Sequence, residues 1–336
     1  MIDFLGNFCQ VSTGGKMRNS LIVIDGHVVD YLIEQVSESQ LRLLEVDPAQ
    51  EYVGLNGLEW DSLMQACVAI GLVPVARVGG SGANTARWFA RLGGFAEIFG
   101  QIGMDVLGEN VIRQLMHDEC APSVRIAPGS TGRCLVFVRP DGQRIMRSDV
   151  GNGMNFDDIS FVESRITSRS WLHLTGYLLD EQFPIHRVAW GAMDAALRVN
   201  APISIDLGSG AYLGHEVIRG VIEKYPTIIF LNKNEARMLG FESEKDAAKQ
   251  LVDWTPKEHK AIVVVTMGHD GAFIYDGRRG ITVNSVYFPV RDTTGAGDAF
   301  AAGFLKGFSR SGSLRDAAKL GCVVAGATVS VLGGLP

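Results

Sequence analysis

Short apolar runs alternate with longer stretches of helical periodicity along almost the whole chain, and this order narrows the choice of fold more than any other feature. The candidate strands are Leu21–Ile24, Ala96–Gly100, Trp171–Leu174, Ile203–Asp206, Thr227–Asn232, Ala261–Met267 and Ala272–Tyr275. Several are apolar throughout, as strands buried on both faces are. Helical periodicity runs between them at Thr85–Leu92, Val106–Met116, Ile185–Arg198, Ser243–Val252 and Ala299–Phe308. The pattern predicts an α/β protein with a mostly parallel central sheet and helices on both of its faces. A further helix is expected from Ser313, where Ser313 and Asp316 read as a variant capping box.

Two segments break the rhythm. Residues 27–60 and 131–150 carry β-type alternation, the second with a turn at Pro140, Asp141 and Gly142, so both read as hairpins outside the main sheet. They predict a small β-sheet lid over the crevice at the carboxyl ends of the strands, where open α/β sheets bind ligands. The expected organisation is an extension over residues 1–20, which has little periodicity, and one α/β core over 21–336 that carries the lid segments as insertions.

A net charge of −6 and no cluster of Lys and Arg argue against a nucleic-acid partner. The longest apolar stretches, such as Cys322–Leu332, are too short and Gly-rich to span a bilayer, and no signal-peptide pattern opens the chain. Five scattered cysteines without a C-x-x-C pair predict neither a disulfide framework nor a zinc site, which fits a reducing cytoplasm. The histidines show no metal-binding spacing, so His173 and His269 read as structural or solvated. Trp88 and Phe89 lie in a helical pattern and read as core.

The chemistry concentrates in the stretch from Asp292 to Leu305. Gly295, Ala296 and Gly297 are small enough for backbone amides to approach an anion, and a helical pattern from Asp298 places that anion at a helix N-terminus. A carboxylate beside bound phosphate would repel it. It makes sense where Asp298 faces an acceptor hydroxyl and takes its proton as a new P–O bond forms. The plainer reading is a favourable first-turn acid after a tight turn. A second Gly-rich turn, Val78 through Ala86 with Gly79, Gly80, Gly82 and Asn84, also leads into a helix. The glycines Gly80 and Gly82 faintly suggest a dinucleotide fingerprint, but no clear acidic partner follows on a later strand.

Together the two turns resemble the paired signatures of the PfkB (ribokinase-like) carbohydrate and nucleoside kinase family. The likeness runs from about Ile22 to Pro336 and continues, in family order, through Thr131 and Gly132, Asp141 and Gly142, Asn232 to Glu235, and Thr266, Gly268 and Gly271. It implies a three-layer α/β/α sandwich with a small β-sheet lid, and transfer of a phosphoryl group from ATP to a hydroxyl. By this resemblance Asp298 is the catalytic base, and the amides of Gly295, Ala296 and Gly297 form an anion hole. Asp30, Gly79, Gly80 and Asn84 match positions that hold substrate hydroxyls. Asn232 and Glu235 match the element that orders Mg2+ through water near the ATP phosphates. Thr266, Gly268 and Gly271 match the turn lining the nucleotide. Arg144, after Asp141-Gly142, stands where related kinases carry a lid arginine near the transferred phosphate, with Arg147 as the next candidate and a solvated hairpin arginine as the plain alternative. Asp292 matches a residue that in many relatives helps bind K+, or it caps the loop.

Two departures from the ribokinase pattern, Ser81 in place of Lys and the long spacing between Asp30 and Gly79, look like the adenosine kinase branch. Against that, Asp25 and Gly26 replace the branch's Gly-Asn ahead of Asp30. The expectation is therefore phosphorylation of a hydroxymethyl group on a nucleoside first, and on a free sugar such as fructose second. A non-catalytic ligand-binding protein on the same fold, or a nicotinamide-dependent oxidoreductase, is the reading from another class. The resemblance also leaves a monomer and a homodimer open.

Overall fold

The computed structural model describes residues 19–335 except 51, 258, 259 and 334. Residues 1–18, most of the extension expected from the sequence, lie outside the described residues. Fourteen strands follow in chain order: β1 (Ser20–Ile24), β2 (Val28–Ile33), β3 (Tyr52–Gly54), β4 (Val75–Val78), β5 (Phe95–Gly103), β6 (Ala121–Ala127), β7 (Gly132–Val138), β8 (Arg144–Asp149), β9 (Ser170–Thr175), β10 (Ile203–Asp206), β11 (Ile228–Asn232), β12 (Ile262–Thr266), β13 (Ala272–Tyr275) and β14 (Gly280–Val283). Nine of them form one sheet in the order β14-β13-β12-β11-β10-β9-β1-β5-β6. It is parallel from β12 to β6, and β13 and β14 join antiparallel at one edge.

Side-chain alternation along these strands divides the apolar residues between two cores. Ile22, Ile24, Ile229, Leu231, Val263 and Val265 face one layer of helices, whereas Leu21, Val23, Ile228, Phe230 and Val264 face the other. The result is the ribokinase-like three-layer α/β/α architecture. All seven strands read from the sequence are present, and Trp88 and Phe89 are core residues.

The second sheet has the order β3-β8-β7-β2-β4. Only part of it is built as expected. Strands β7 and β8 form an antiparallel hairpin around the Asp141-Gly142 turn. Residues 27–60 are not a hairpin: β2 pairs parallel with β7 and antiparallel with β4, while β3 pairs parallel with β8. The helices Glu38–Leu43 and Gly57–Ala69 take the place of tight turns and cover the outer face, burying Leu41, Trp60 and Cys67 against Ile33, Leu135 and Phe137. Each has a full capping box, Ser37 with Gln40 and Asn56 with Glu59, so local signals stop the strand pattern there.

The Ser81–Arg91 helix is fixed from below by a buried ion pair. Arg87 Nε lies 2.6 Å from Asp118, with side-chain exposures of 4% and 0%, and Arg91 lies 2.9 Å from the other carboxylate oxygen. Arg87 Nη1 also donates to the Val78 carbonyl at 2.9 Å, which ties the helix to the strand that feeds it. At the other signature, the long helix Ala296–Ser311 starts two residues earlier than its periodicity indicates, with Gly295 as N-cap at φ 73°. A left-handed N-cap of this kind is natural for glycine. The following helix, Leu314–Val329, is capped by Ser313 Oγ, which accepts from the Asp316 amide at 3.3 Å. Among the described residues no helix is long and apolar enough to cross a membrane.

Candidate active site

Chain order reverses at β1, which has β5 on one side and β9 on the other. Such a switch point opens a crevice at the carboxyl ends of the strands. A cavity of about 310 Å3 lies there, between the large sheet and the inner face of the smaller one. The strand ends deliver Thr175, Asp206, Asn232 and Thr266, and the smaller sheet delivers Val28, Asp30, Tyr52, Cys134, Arg144, Met146 and Ser148. Alternation on β8 explains part of that set: Arg144, Met146 and Ser148 point into the cavity, and Arg147 points away. Arg147 is 5% exposed and donates to the carbonyls of Asp47, Met146 and Gln50. It braces the smaller sheet and is not a second catalytic candidate.

The two Gly-rich turns meet at Asp298. Ser81 Oγ donates to its Oδ1 at 2.6 Å, Asn84 Nδ2 to its Oδ2 at 2.9 Å, and Thr85 Oγ1 to its carbonyl at 3.3 Å. Gly295 and Gly297 line the cavity beside it, whereas Ala296 is not among the lining residues and its amide donates to the Thr293 carbonyl at 3.3 Å. Burial pushes the Asp298 carboxyl up to about 6, against the hydrogen bonds from Ser81 and Asn84 and the charge of Arg144. Asp30 rises to about 7, again through burial, with Arg144 lowering it and Asp298, Asp25 and Asp292 adding to the rise. The Arg144 side chain makes no hydrogen bond or ion pair with the described residues, yet its field acts on both carboxylates. A Cβ on Gly79 would sit 2.2 Å from the Asp30 carboxyl, so the bare turn is what lets that aspartate lie where it does.

The other predicted residues divide. Asn232 and Glu235 form a reciprocal capping box on the helix Lys233–Met238: Asn232 Oδ1 accepts from Asn234 and Glu235, while Glu235 accepts from the Asn232 amide at 2.8 Å and from its side chain. Both still line the cavity, as does Thr266. Gly268 and Gly271 lie in the β12–β13 turn and are not among the lining residues; at φ 91° and with Val283 O 1.9 Å from a notional Cβ, Gly271 is needed for the turn itself. Asp292 is fully buried, and its oxygens accept from the amides of Thr294 at 2.8 Å and Gly333 at 2.9 Å, the arrangement of a loop cap.

Sequence reasoning passed over Asp25, Tyr177 and Asp206 as site residues. Asp206 ends β10, lines the cavity, and would stand 4.0 Å from a Cβ on Gly297. Burial and the neighbouring Glu235 and Asp298 carboxylates push its pKa well up. A position at the carboxyl end of an apolar strand is the signal that would have found it. Among the described residues no three His, Cys, Asp or Glu side chains converge closely enough to cage an ion. The oxygens of Asp206 and Glu235, mutually repelling at one end of the cavity, nonetheless fit Mg2+ held through water and phosphate, as that ion prefers.

The family model for pfkB family carbohydrate kinases matches residues 72–335. The chain is 28% identical over 254 residues to an uncharacterized sugar kinase of Archaeoglobus fulgidus, covering 74% of this chain and 97% of that one. It is 28% identical over 250 residues to a cytidine kinase of Thermococcus kodakarensis, covering 74% and 86%. The solved adenosine kinase of Sinorhizobium meliloti superposes with a TM-score of 0.84 at 26% identity, covering 95% of this chain and 96% of that one. The chain belongs to the PfkB family of carbohydrate kinases, phosphotransferases whose acceptor is an alcohol group on a small sugar or nucleoside.

Proposed function

We propose that this kinase phosphorylates the hydroxymethyl group of a nucleoside at the expense of ATP, with Asp298 as the base. The convergence of Asp298, its partner Asn84, Gly295 and Gly297 on one cavity with Asp30 of the smaller sheet carries this reading. An acceptor hydroxyl bound between Asp30 and Asp298 gives up its proton to the Asp298 carboxylate as it attacks phosphorus. The amides of Gly295 and Gly297 meet the charge that develops on the transferred group. Mg2+, when bound near Asp206 and Glu235, neutralises phosphate charge.

The lining away from Asp298 supports a nucleoside over a free sugar. Tyr177, Phe183, Met154, Met146 and Val150 present rings, thioethers and a branched alkyl group. Such surfaces suit the face of a base better than a ring of hydroxyls. The measurement that decides is ADP release over a panel of nucleosides and free sugars with Mg2+ and ATP. Turnover on nucleosides is expected, and turnover confined to hexoses or pentoses would replace the nucleoside with a sugar.

In the same reading the smaller sheet is a lid, and Arg144 reaches the transferred phosphoryl group from it. Thr293 Oγ1 donates to the Gly142 carbonyl at 2.9 Å, and Arg291 forms a bidentate pair with Glu34 at 2.8 and 2.9 Å, so the sheet is tied to the segment carrying the anion hole. Arg144→Ala is expected to lower kcat by about 10²-fold, the usual worth of one donor to a developing anion. Steady-state ADP release checks it, and a variant within threefold of wild type would return Arg144 to an ordinary surface role.

A further inference from the structure

Asp25 is the first residue after β1, where the chain leaves for the smaller sheet, and it is 0% exposed. Its Oδ1 accepts from the Gly26 amide at 3.0 Å and from the Tyr177 hydroxyl; its Oδ2 accepts from the Ala83 amide at 2.8 Å, and Gly82 also donates. Among the described residues no Lys, Arg or His forms an ion pair with it. Neutral donors and the first turn of the Ser81–Arg91 helix hold it instead. The neighbouring glycines make room for this carboxylate: a Cβ on Gly80 would lie 2.4 Å from Asp25 Oδ2, and one on Gly82 would lie 3.1 Å from its Cγ.

Those contacts lead in two directions. Through Gly82 and Ala83 the carboxylate fixes the turn from which Ser81 and Asn84 reach Asp298. Through the phenol it fixes Tyr177, a lining residue of the cavity on the 3-10 turn Gly176–Leu179. That turn cannot shift freely, because a Cβ on Gly176 would be 2.1 Å from the Leu207 carbonyl. We infer that Asp25 is a positioning residue that binds Tyr177 and the Gly79–Ala83 turn into one rigid wall, and that Tyr177 is the specificity-determining part of that wall, selecting acceptors with a planar ring. This rests on the nucleoside reading above. Its one side-chain hydrogen-bond partner among the described residues, Tyr177, is a residue of the acceptor cavity, which a carboxylate serving stability alone would not require.

The test compares Tyr177→Phe, Tyr177→Leu, Asp25→Asn and the double variant Asp25→Asn/Tyr177→Phe, each checked for native folding by circular dichroism. Acceptor and ATP kinetics are measured with the best nucleoside and the best free sugar of the wild type. Tyr177→Phe and Asp25→Asn are each expected to raise the nucleoside KM about tenfold, with a smaller change in kcat and in the KM for ATP. The double variant is expected to be no worse than about the poorer single one, since Asp25→Asn leaves one carbonyl oxygen for donors on both sides, which breaks the link between Tyr177 and the turn, and Tyr177→Phe breaks the same link from its other end. Tyr177→Leu is expected to lower the preference for nucleoside over sugar about tenfold, as loss of a stacking surface does. Additive losses, or an unchanged nucleoside KM in folded Tyr177→Phe, overturn the inference; if Asp25→Asn does not fold, the two Tyr177 variants decide alone. A wild type that turns over only sugars defeats the nucleoside reading and with it the planar-ring selectivity. Nucleoside turnover with unaltered selectivity in Tyr177→Leu defeats the selectivity alone.

Discussion

Asp298→Asn is expected to lower kcat by roughly 10²–10⁴-fold while ATP binding survives, the range spanned by loss of a positioned general base. The amide has the shape of the carboxylate and can still accept from Ser81, while its NH2 meets the Asn84 side chain once that amide turns its oxygen round; what it lacks is the ability to take a proton. In the wild type the carboxyl is held near 6 by burial, against the hydrogen bonds from Ser81 and Asn84 and the charge of Arg144. A base works when deprotonated, so kcat/KM is expected to rise with pH through about 6 and then level off. The variant should lose this acid limb along with its rate. Steady-state ADP release from pH 5 to 8, with calorimetry for ATP, makes the comparison, and turnover within tenfold of wild type would remove Asp298 from the role of base.

The second large effect falls on stability. Asp118→Ala leaves Arg87, 4% exposed, buried without its carboxylate, and breaking such a pair costs about 3–5 kcal/mol. Denaturant midpoints at neutral pH read the loss directly. Burial by itself would raise the Asp118 carboxyl, but the Arg87 charge and hydrogen bonds from Arg91, Gln114 and Arg87 bring it down from 3.8 to about 2. A depressed folded value means stabilisation that is fully present above 3.8 and lost as pH falls through about 2. The variant should therefore show a shallower loss of stability between those pH values than the wild type. A midpoint unchanged from wild type would mean that Arg87 reaches water or another partner once Asp118 is gone. Because the Arg87 helix also carries Ser81 and Asn84, partial unfolding here should abolish activity before the rest of the core melts.

The large sheet was legible because each central strand is a continuous apolar run bounded by helical periodicity, as in Ile203–Asp206 and Ile228–Asn232. The edges were less so. Strand β6 begins with Ala121 and Pro122 and alternates poorly, and β14 is only four residues long. The smaller sheet defeated local reading for a different reason: β2 finds β7 and β3 finds β8 across roughly a hundred residues, and no turn signal marks a parallel pairing of that span. Asp298 and its loop stood out because glycines, a carboxylate and a helix start coincide there. Asp25, Tyr177 and Asp206 carry no such local mark, since a single polar residue at a strand end acquires meaning only when another strand end arrives beside it.

Asp298 follows Ser81 by 217 residues and Asn84 by 214. At a translation rate of about 5–20 residues per second, the proposed base emerges roughly ten to forty seconds after the two side chains that grip it. The helix that brings it also buries Phe300 and Phe304 in one core with Phe89 and Phe230, so a chain that folds as a unit acquires its pocket and its base together.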